Sequence, residues 1–211
     1  MNRHTLILLA ALVPMLAGCF GAAAVGAGAG ALIFADRRQA ETILTDEGIE
    51  IRAANRVGER FSDRVHINIT SYNRTVLLTG EVPDATTRSE IEAIVAAVQN
   101  VKRLQNELQV GPVSSLTTRG KDAYITSNVK ARFIDGQQFA ANHVKVVTES
   151  GVVYLLGLVT QREADAAVQI ARTSAEVKKV VRVFEIISDA EAKRLDPPPA
   201  QPAKQAEQPS S

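Results

Sequence analysis

The feature that most constrains this chain is an internal repeat. The segment Ile67-Asn-Ile69-Thr-Ser-Tyr-Asn-Arg-Thr-Val76-Leu-Leu78-Thr-Gly80-Glu-Val82 returns 77 residues later as Val144-Lys-Val146-Val-Thr-Glu-Ser-Gly-Val-Val153-Tyr-Leu155-Leu-Gly157-Leu-Val159. Apolar positions coincide at 67/144, 69/146, 76/153, 78/155 and 82/159, and glycines at 80/157. Further on, Asn100-Val-Lys-Arg-Leu104 matches Glu176-Val-Lys-Lys-Val180 at an offset of 76. A chain that repeats itself at this spacing is built from copies of one supersecondary unit, which excludes a single large domain. The copies span 46–112 and 119–189, joined by 113–118.

Each copy reads as α-β-β-α-β. Residues 47–61 and 122–133 carry apolar side chains at helical spacing, Ala54, Val57 and Phe61 in one and Ile125, Val129 and Phe133 in the other. Ile67/Ile69 and Val76/Leu78 alternate as strands around Tyr72-Asn73-Arg74, and Ser150-Gly151 supplies the matching turn in the second copy. Ile91, Ile94, Val95 and Val98 form one apolar helix face, with Ala167, Ile170, Ala171 and Ser174 as its smaller counterpart. Strands over 104–110 and 180–186 close the units. The expected fold class is α+β, two tandem modules, each with two helices on one face of a three-stranded mixed sheet. A module of about 65 residues buries a thin core, so the two are expected to pack on each other. Gly80 and Gly157, at the strand exits, read as structural glycines that permit a close backbone approach.

The ends differ in kind from this middle. Residues 1–18 carry Arg3 and His4, an apolar run from Leu6 to Val13, and then Leu16-Ala17-Gly18 before Cys19. The run is too short to span a bilayer and fits a secretory signal. Residues 16–19 resemble the bacterial lipobox, which implies cleavage before Cys19 and acylation of that residue, the chain's one cysteine. Several acyl chains on one residue anchor far better than one. Phe20 is not the aspartate that retains sorted lipoproteins at the inner membrane, so the implied address is the outer membrane, facing the periplasm. Residues 19–45 then read as a Gly/Ala-rich tether. From 190 to 211, five of the eight prolines fall among Gln, Ala, Lys and Ser, the composition of a disordered tail.

Catalytic chemistry finds little support. No nucleophile elbow, zincin or phosphate-loop pattern occurs, and Cys19 is committed to acylation. His66 and His143 stand 77 apart at matched places, as structural residues would, without further ligands at metal-binding spacing. No catalytic residue, cofactor or metal is therefore expected. With 24 basic and 23 acidic side chains, the chain lacks the basic excess that nucleic acid requires. The balance hides an asymmetry, since 46–112 holds 8 basic and 10 acidic residues and 119–189 holds 10 and 8. Tyr124, one residue from the core position Ile125, stands near Arg119, Lys121, Lys130 and Arg132 in sequence. An aromatic with a polar tip among cations suits the headgroup level of a membrane, and it equally suits packing against the first module.

The repeated helix, the hairpin ending Val-x-Leu-x-Gly-x-Val (Val76 to Val82, Val153 to Val159), and the Val-Lys before the last strand resemble the BON domain. With the lipobox, the resemblance is to two-module outer-membrane lipoproteins and covers residues 16 to 188. It implies a non-enzymatic protein that binds anionic phospholipids through its second module and supports outer-membrane integrity. It further implies contact with β-barrel assembly machinery or division-site proteins, and enrichment at the division site. The alternative is an envelope protein–protein adaptor. The long Pro-rich tail and the short loop from Ser62 to His66 depart from the resemblance.

Overall fold

The computed structural model describes residues 36–196; Cys19, the Gly/Ala-rich segment and the prolines of the tail lie outside them. The first module comprises α1 (Ala40–Phe61), β1 (His66–Tyr72), β2 (Thr75–Val82), α2 (Ala85–Ala96), β3 (Arg103–Asn106) and β4 (Gln109–Val110). The second comprises α3 (Leu116–Gly136), β5 (Lys145–Glu149), β6 (Val152–Val159), α4 (Gln161–Arg172) and β7 (Lys179–Ile186), followed by α5 (Asp189–Leu195). In each, a hairpin pairs two antiparallel strands, and the last strand lies parallel to the hairpin's second strand. The last strand of the first module is split into β3 and β4, which both pair with β2.

The hairpin turns are held the same way twice. Asn73 and Arg74 both have positive φ, as do Ser150 and Gly151, the geometry of a two-residue turn that matches strand twist. The first helix of each module supplies an aspartate to that turn. Asp46 accepts the backbone N–H groups of Asn73 and Arg74 at 2.8 and 2.7 Å, and Asp122 those of Ser150 and Gly151 at 2.8 Å each. Both carboxylates are buried, so these bonds satisfy what would otherwise be costly orphan donors.

Alternation along the central strands explains the packing. Val76, Leu78 and Val82 join Ile49, Ala53, Val57, Phe61, Ile91 and Val95 in one helix-covered core. Val153, Leu155 and Val159 do the same with Ile125, Val129, Phe133 and Ala167. The intervening residues, Tyr72 and Leu77 in one module and Tyr154, Leu156 and Leu158 in the other, form a third core in which the two sheets meet. The central strand of each sheet is thus buried on both faces, which accounts for the nearly continuous apolar run of β6.

Four boundaries differ from expectation. α1 begins at Ala40 and α3 at Leu116, so parts of the expected tether and linker are helical. For α3 the reason is a cap, the Ser115 hydroxyl accepting the N–H of Thr118 at 3.1 Å. In α1 the inward residue is Ala53, one turn from Ile49 and Val57, while Ala54 is exposed. The expected tail begins with α5, capped by Ser188 and carrying Asp189 and Glu191 in its first turn and Lys193 and Arg194 in its last. Residues 36–38, expected to be tether, are tied down. The Arg37 guanidinium, 2% exposed, donates to Glu163 at 2.7 and 3.0 Å, to the Leu158 carbonyl at 2.9 Å and to Asp196 at 2.6 Å.

Candidate functional site

α3 presents its inner face, Ile125, Val129 and Phe133, to the second core. Its outer face carries Leu116, Tyr124 and Ile134, which are 83, 55 and 64% exposed. At about 100° per residue, Leu116 and Ile134 point the same way and Tyr124 lies about 80° round. Between them are the exposed small residues Gly120, Ala123, Ser127 and Ala131. Leu116 and Ile134 stand about 27 Å apart along the axis with Tyr124 between them, so this face is a spaced line of apolar side chains rather than a continuous patch, and it is the candidate surface because cations flank it.

The expected cationic residues divide into two groups. Lys121 and Lys130 are exposed and flank this face. Arg119 is half-buried and donates to the Ser114 carbonyl at 3.1 Å, folding back on the start of its own helix. Arg132 turns the other way, donating to the Ile170 carbonyl at 2.9 Å, Ser174 Oγ at 2.8 Å and Thr173 Oγ1 at 3.1 Å, where it fastens α3 to the end of α4. Nearness in sequence grouped Arg132 with Tyr124, but its helical position places it toward α4. Leu116 and Ile134 were missed because apolar residues at helix ends read as core or linker. The signal that could have found them is their 18-residue spacing, five full turns. Tyr124 is solvent-exposed rather than buried against the first module.

The two glycines occupy crossings of backbone on backbone. A Cβ at Gly80, whose φ is +114°, would lie 2.1 Å from the carbonyl oxygen of His66, and one at Gly157 would lie 2.4 Å from that of His143. The matched histidines thus mark the places where the chain passes over the glycines. His143 itself is buried beside Arg37, Glu163 and Asp196. Burial, reinforced by the Arg37 charge, holds its pKa below the ordinary value against the opposing pull of the carboxylates. Burial alone would raise Glu163; hydrogen bonds from Arg37 and from the Thr160 backbone hold it below the usual carboxylate range.

Both modules match a known family, the BON domain, over residues 46–112 and 121–188. The chain belongs to the BON-domain family. As a two-domain BON protein it is 38% identical over 184 residues to the outer membrane lipoprotein DolP of Haemophilus influenzae, covering 86% of this chain and 94% of that one. It is 30% identical over 154 residues to a 21 kDa hemolysin of Actinobacillus pleuropneumoniae, covering 72% of this chain and 79% of that one. It is also 30% identical over 117 residues to the osmotically-inducible protein Y of Escherichia coli, covering 54 and 58%. Among the described residues no helix is long and apolar enough to cross a membrane. The exposed stripe on α3 therefore belongs to the first helix of the second BON domain.

Proposed function

We propose that this BON protein is a non-enzymatic outer-membrane lipoprotein. It is held by acylated Cys19 at the periplasmic leaflet, binds anionic phospholipids through α3, and so supports the integrity of that membrane. The similarity to an outer membrane lipoprotein over most of the chain supports the address. The single observation that carries the lipid reading is the outer face of α3, where Leu116, Tyr124 and Ile134 stand in solvent between Lys121 and Lys130. A helix lying in the interface needs this arrangement, apolar side chains to enter the acyl boundary and cations to meet the headgroups. Each lysine facing an anionic leaflet contributes about 1 kcal/mol. Cys19 and Arg37 are 18 residues apart, so the tether reaches at most about 60 Å. Anchoring makes a weak headgroup contact effectively intramolecular.

The test is binding to vesicles of phosphatidylglycerol and phosphatidylcholine against phosphatidylcholine alone. The expected result is binding to the anionic vesicles that falls at least tenfold in Tyr124→Ala/Ile134→Ser and in Lys121→Glu/Lys130→Glu, with the thermal midpoint unchanged. Equal binding to both vesicles, or variants that bind as the parent does, would sink the proposal. A second reading rests on Leu44 and Ile51, exposed seven residues apart on one face of α1. That pair favours an adaptor docking an envelope protein of the assembly or division machinery on the first module. Loss of function on Leu44→Ser/Ile51→Ser with lipid binding intact would favour it.

A further inference from the structure

We infer that His66, Glu81 and Glu149 form a binding site for a divalent transition-metal ion of the zinc type, which ties the two modules together. The expectation of no metal rested on spacing along the chain, and these residues are 15 and 68 apart in sequence. The fold assembles them. His66 opens β1 and stands opposite Glu81 of β2 in the antiparallel register, while Glu149 ends β5 in the other module. One donor atom from each lies within 4.8 Å of the other two, and His66 Nδ1 is 3.1 Å from Glu81 Oε2. Ligands on a tetrahedral ion with bonds of about 2.0–2.1 Å are about 3.3–3.4 Å apart. The His66–Glu81 pair, hydrogen-bonded at 3.1 Å, would open by about 0.2–0.3 Å to reach that separation, and Glu149 would approach by a side-chain rotation.

Charge argues the same way. Glu81 and Glu149 are each more than nine-tenths buried, and among the described residues neither is paired with a lysine or arginine. Two facing carboxylates inside a protein demand a counter-charge, a proton or a cation. The surroundings are also those of a ligand shell. Asn68 donates its amide to Glu149 Oε2 at 2.7 Å, and the Ser114 N–H donates to Glu81 Oε2 at 3.1 Å. Such outer contacts fix the direction of metal-bound carboxylates. An open pocket of about 450 Å³, lined by His66 and Glu149 together with Asn68, Asp122, Arg119 and Thr148, adjoins these two ligands and leaves room for water at the fourth position; Arg119 lines it but forms no ion pair with either glutamate. One imidazole and two carboxylates are too few and too mixed for calcium or magnesium, which take about six or more oxygens; they suit zinc or its first-row neighbours. Because the ligands come from both modules, the ion acts as a clasp across the sheet interface, on the side where α3 passes.

The test uses the full chain in a nonionic detergent, stripped with EDTA and titrated with zinc chloride by calorimetry. The same protein is titrated with Co(II) by visible absorption. The expected result is one saturable ion per chain and a rise in thermal midpoint on loading. His66→Gln and Glu149→Gln should each weaken binding at least tenfold while leaving the midpoint in EDTA within a few degrees of the parent. In the unmodified protein the His66 imidazole nitrogen resonances should move on adding zinc, a readout that needs no variant. Absence of saturable uptake would overturn the inference. So would uptake that both substitutions leave intact, which would place the ion on other groups, or zinc addition that leaves the His66 resonances unmoved.

Discussion

Arg37→Ala is the most informative single perturbation of the fold, because one guanidinium joins three distant parts of the chain. It reaches the Leu158 carbonyl on β6, Glu163 in the first turn of α4 and Asp196 just after α5. Its removal leaves Glu163, 7% exposed, as a buried carboxylate without its cation. Breaking a buried pair from one side costs about 3–5 kcal/mol. The Asp196 arm adds little, since that carboxylate is 40% exposed. The loss of a donor to Leu158 adds about 1 kcal/mol. A total of about 4–6 kcal/mol corresponds to a fall in thermal midpoint of about 8–24 °C for a folded unit of this size. In the parent, Glu163 sits below 4.5 when folded, so its contribution is present above about pH 4.5 and disappears as pH falls through the lowered folded value. In the variant, burial without Arg37 reverses the sign. The folded pKa then exceeds the unfolded one, and stability is lost as pH rises through it. Urea unfolding followed by far-ultraviolet circular dichroism at pH 5 and pH 7.5 should show the larger deficit at pH 7.5. Arg37→Ala/Glu163→Gln should regain part of it, because the amide carries no charge to desolvate. A deficit below about 1 kcal/mol, or one equal at both pH values, would refute this account of the clamp.

The remaining predictions concern the matched histidine and glycine positions. The buried His143 has a folded pKa below its ordinary 6.5, so the unfolded chain binds the extra proton and stability declines as pH drops below about 6.5. His143→Gln should flatten that slope, by up to about 1.4 kcal/mol per pH unit, in urea titrations from pH 7 downward; an unchanged slope would remove His143 from the explanation. Gly80→Ala should cost about 2–4 kcal/mol, since it combines a positive φ with a collision against the His66 carbonyl. Gly157→Ala meets the His143 carbonyl and the Val159 side chain but no positive φ, and should cost less. Midpoints in the opposite order would show that backbone strain is not what Gly80 relieves.

The repeat made the two modules legible, because local patterns of period two and 3.6 survive duplication. Ile125, Val129 and Phe133 are read correctly from their spacing alone, and the Asn73 and Ser150-Gly151 turns from their residue types. The sheet-on-sheet core was legible only in outline. Leu77, Tyr154, Leu156 and Leu158 are apolar on the face that a half-exposed sheet would make polar, and that excess is the sole sequence trace of the interface. α5 carried its own signals, Ser188 with acids first and bases last, yet the prolines after it dominate the local composition. The Asp36-Arg37-Arg38 segment stands out in the sequence only through the family resemblance, and its clamp contacts were not legible, since the partners of Arg37 lie 121 to 159 residues away and no periodicity encodes such a contact. The His66–Glu81–Glu149 cluster is hidden for the same reason, although His66 and Glu81 are cross-strand neighbours once the hairpin register is known.

Burial of both faces of the central strands leaves the outer strands and the outer sides of the helices as the surface on which such a molecule can act. Among the helices, duplication places α1 and α3 in equivalent positions with different chemistry. α1 exposes Leu44 and Ile51 among Glu41, Glu47 and Glu59, with Arg56 and Arg60 exposed toward its C-terminal end. α3 exposes Leu116, Tyr124 and Ile134 between Lys121 and Lys130, with Asp135 at its far end as the only exposed acid on the helix. An anionic leaflet favours the second arrangement over the first, by about 1 kcal/mol for each basic charge that reaches the surface. On the proposed function, the same fold would offer α3 to lipid and leave α1 to a partner that tolerates acid. The near-zero net charge of the whole chain is the sum of these two unlike halves.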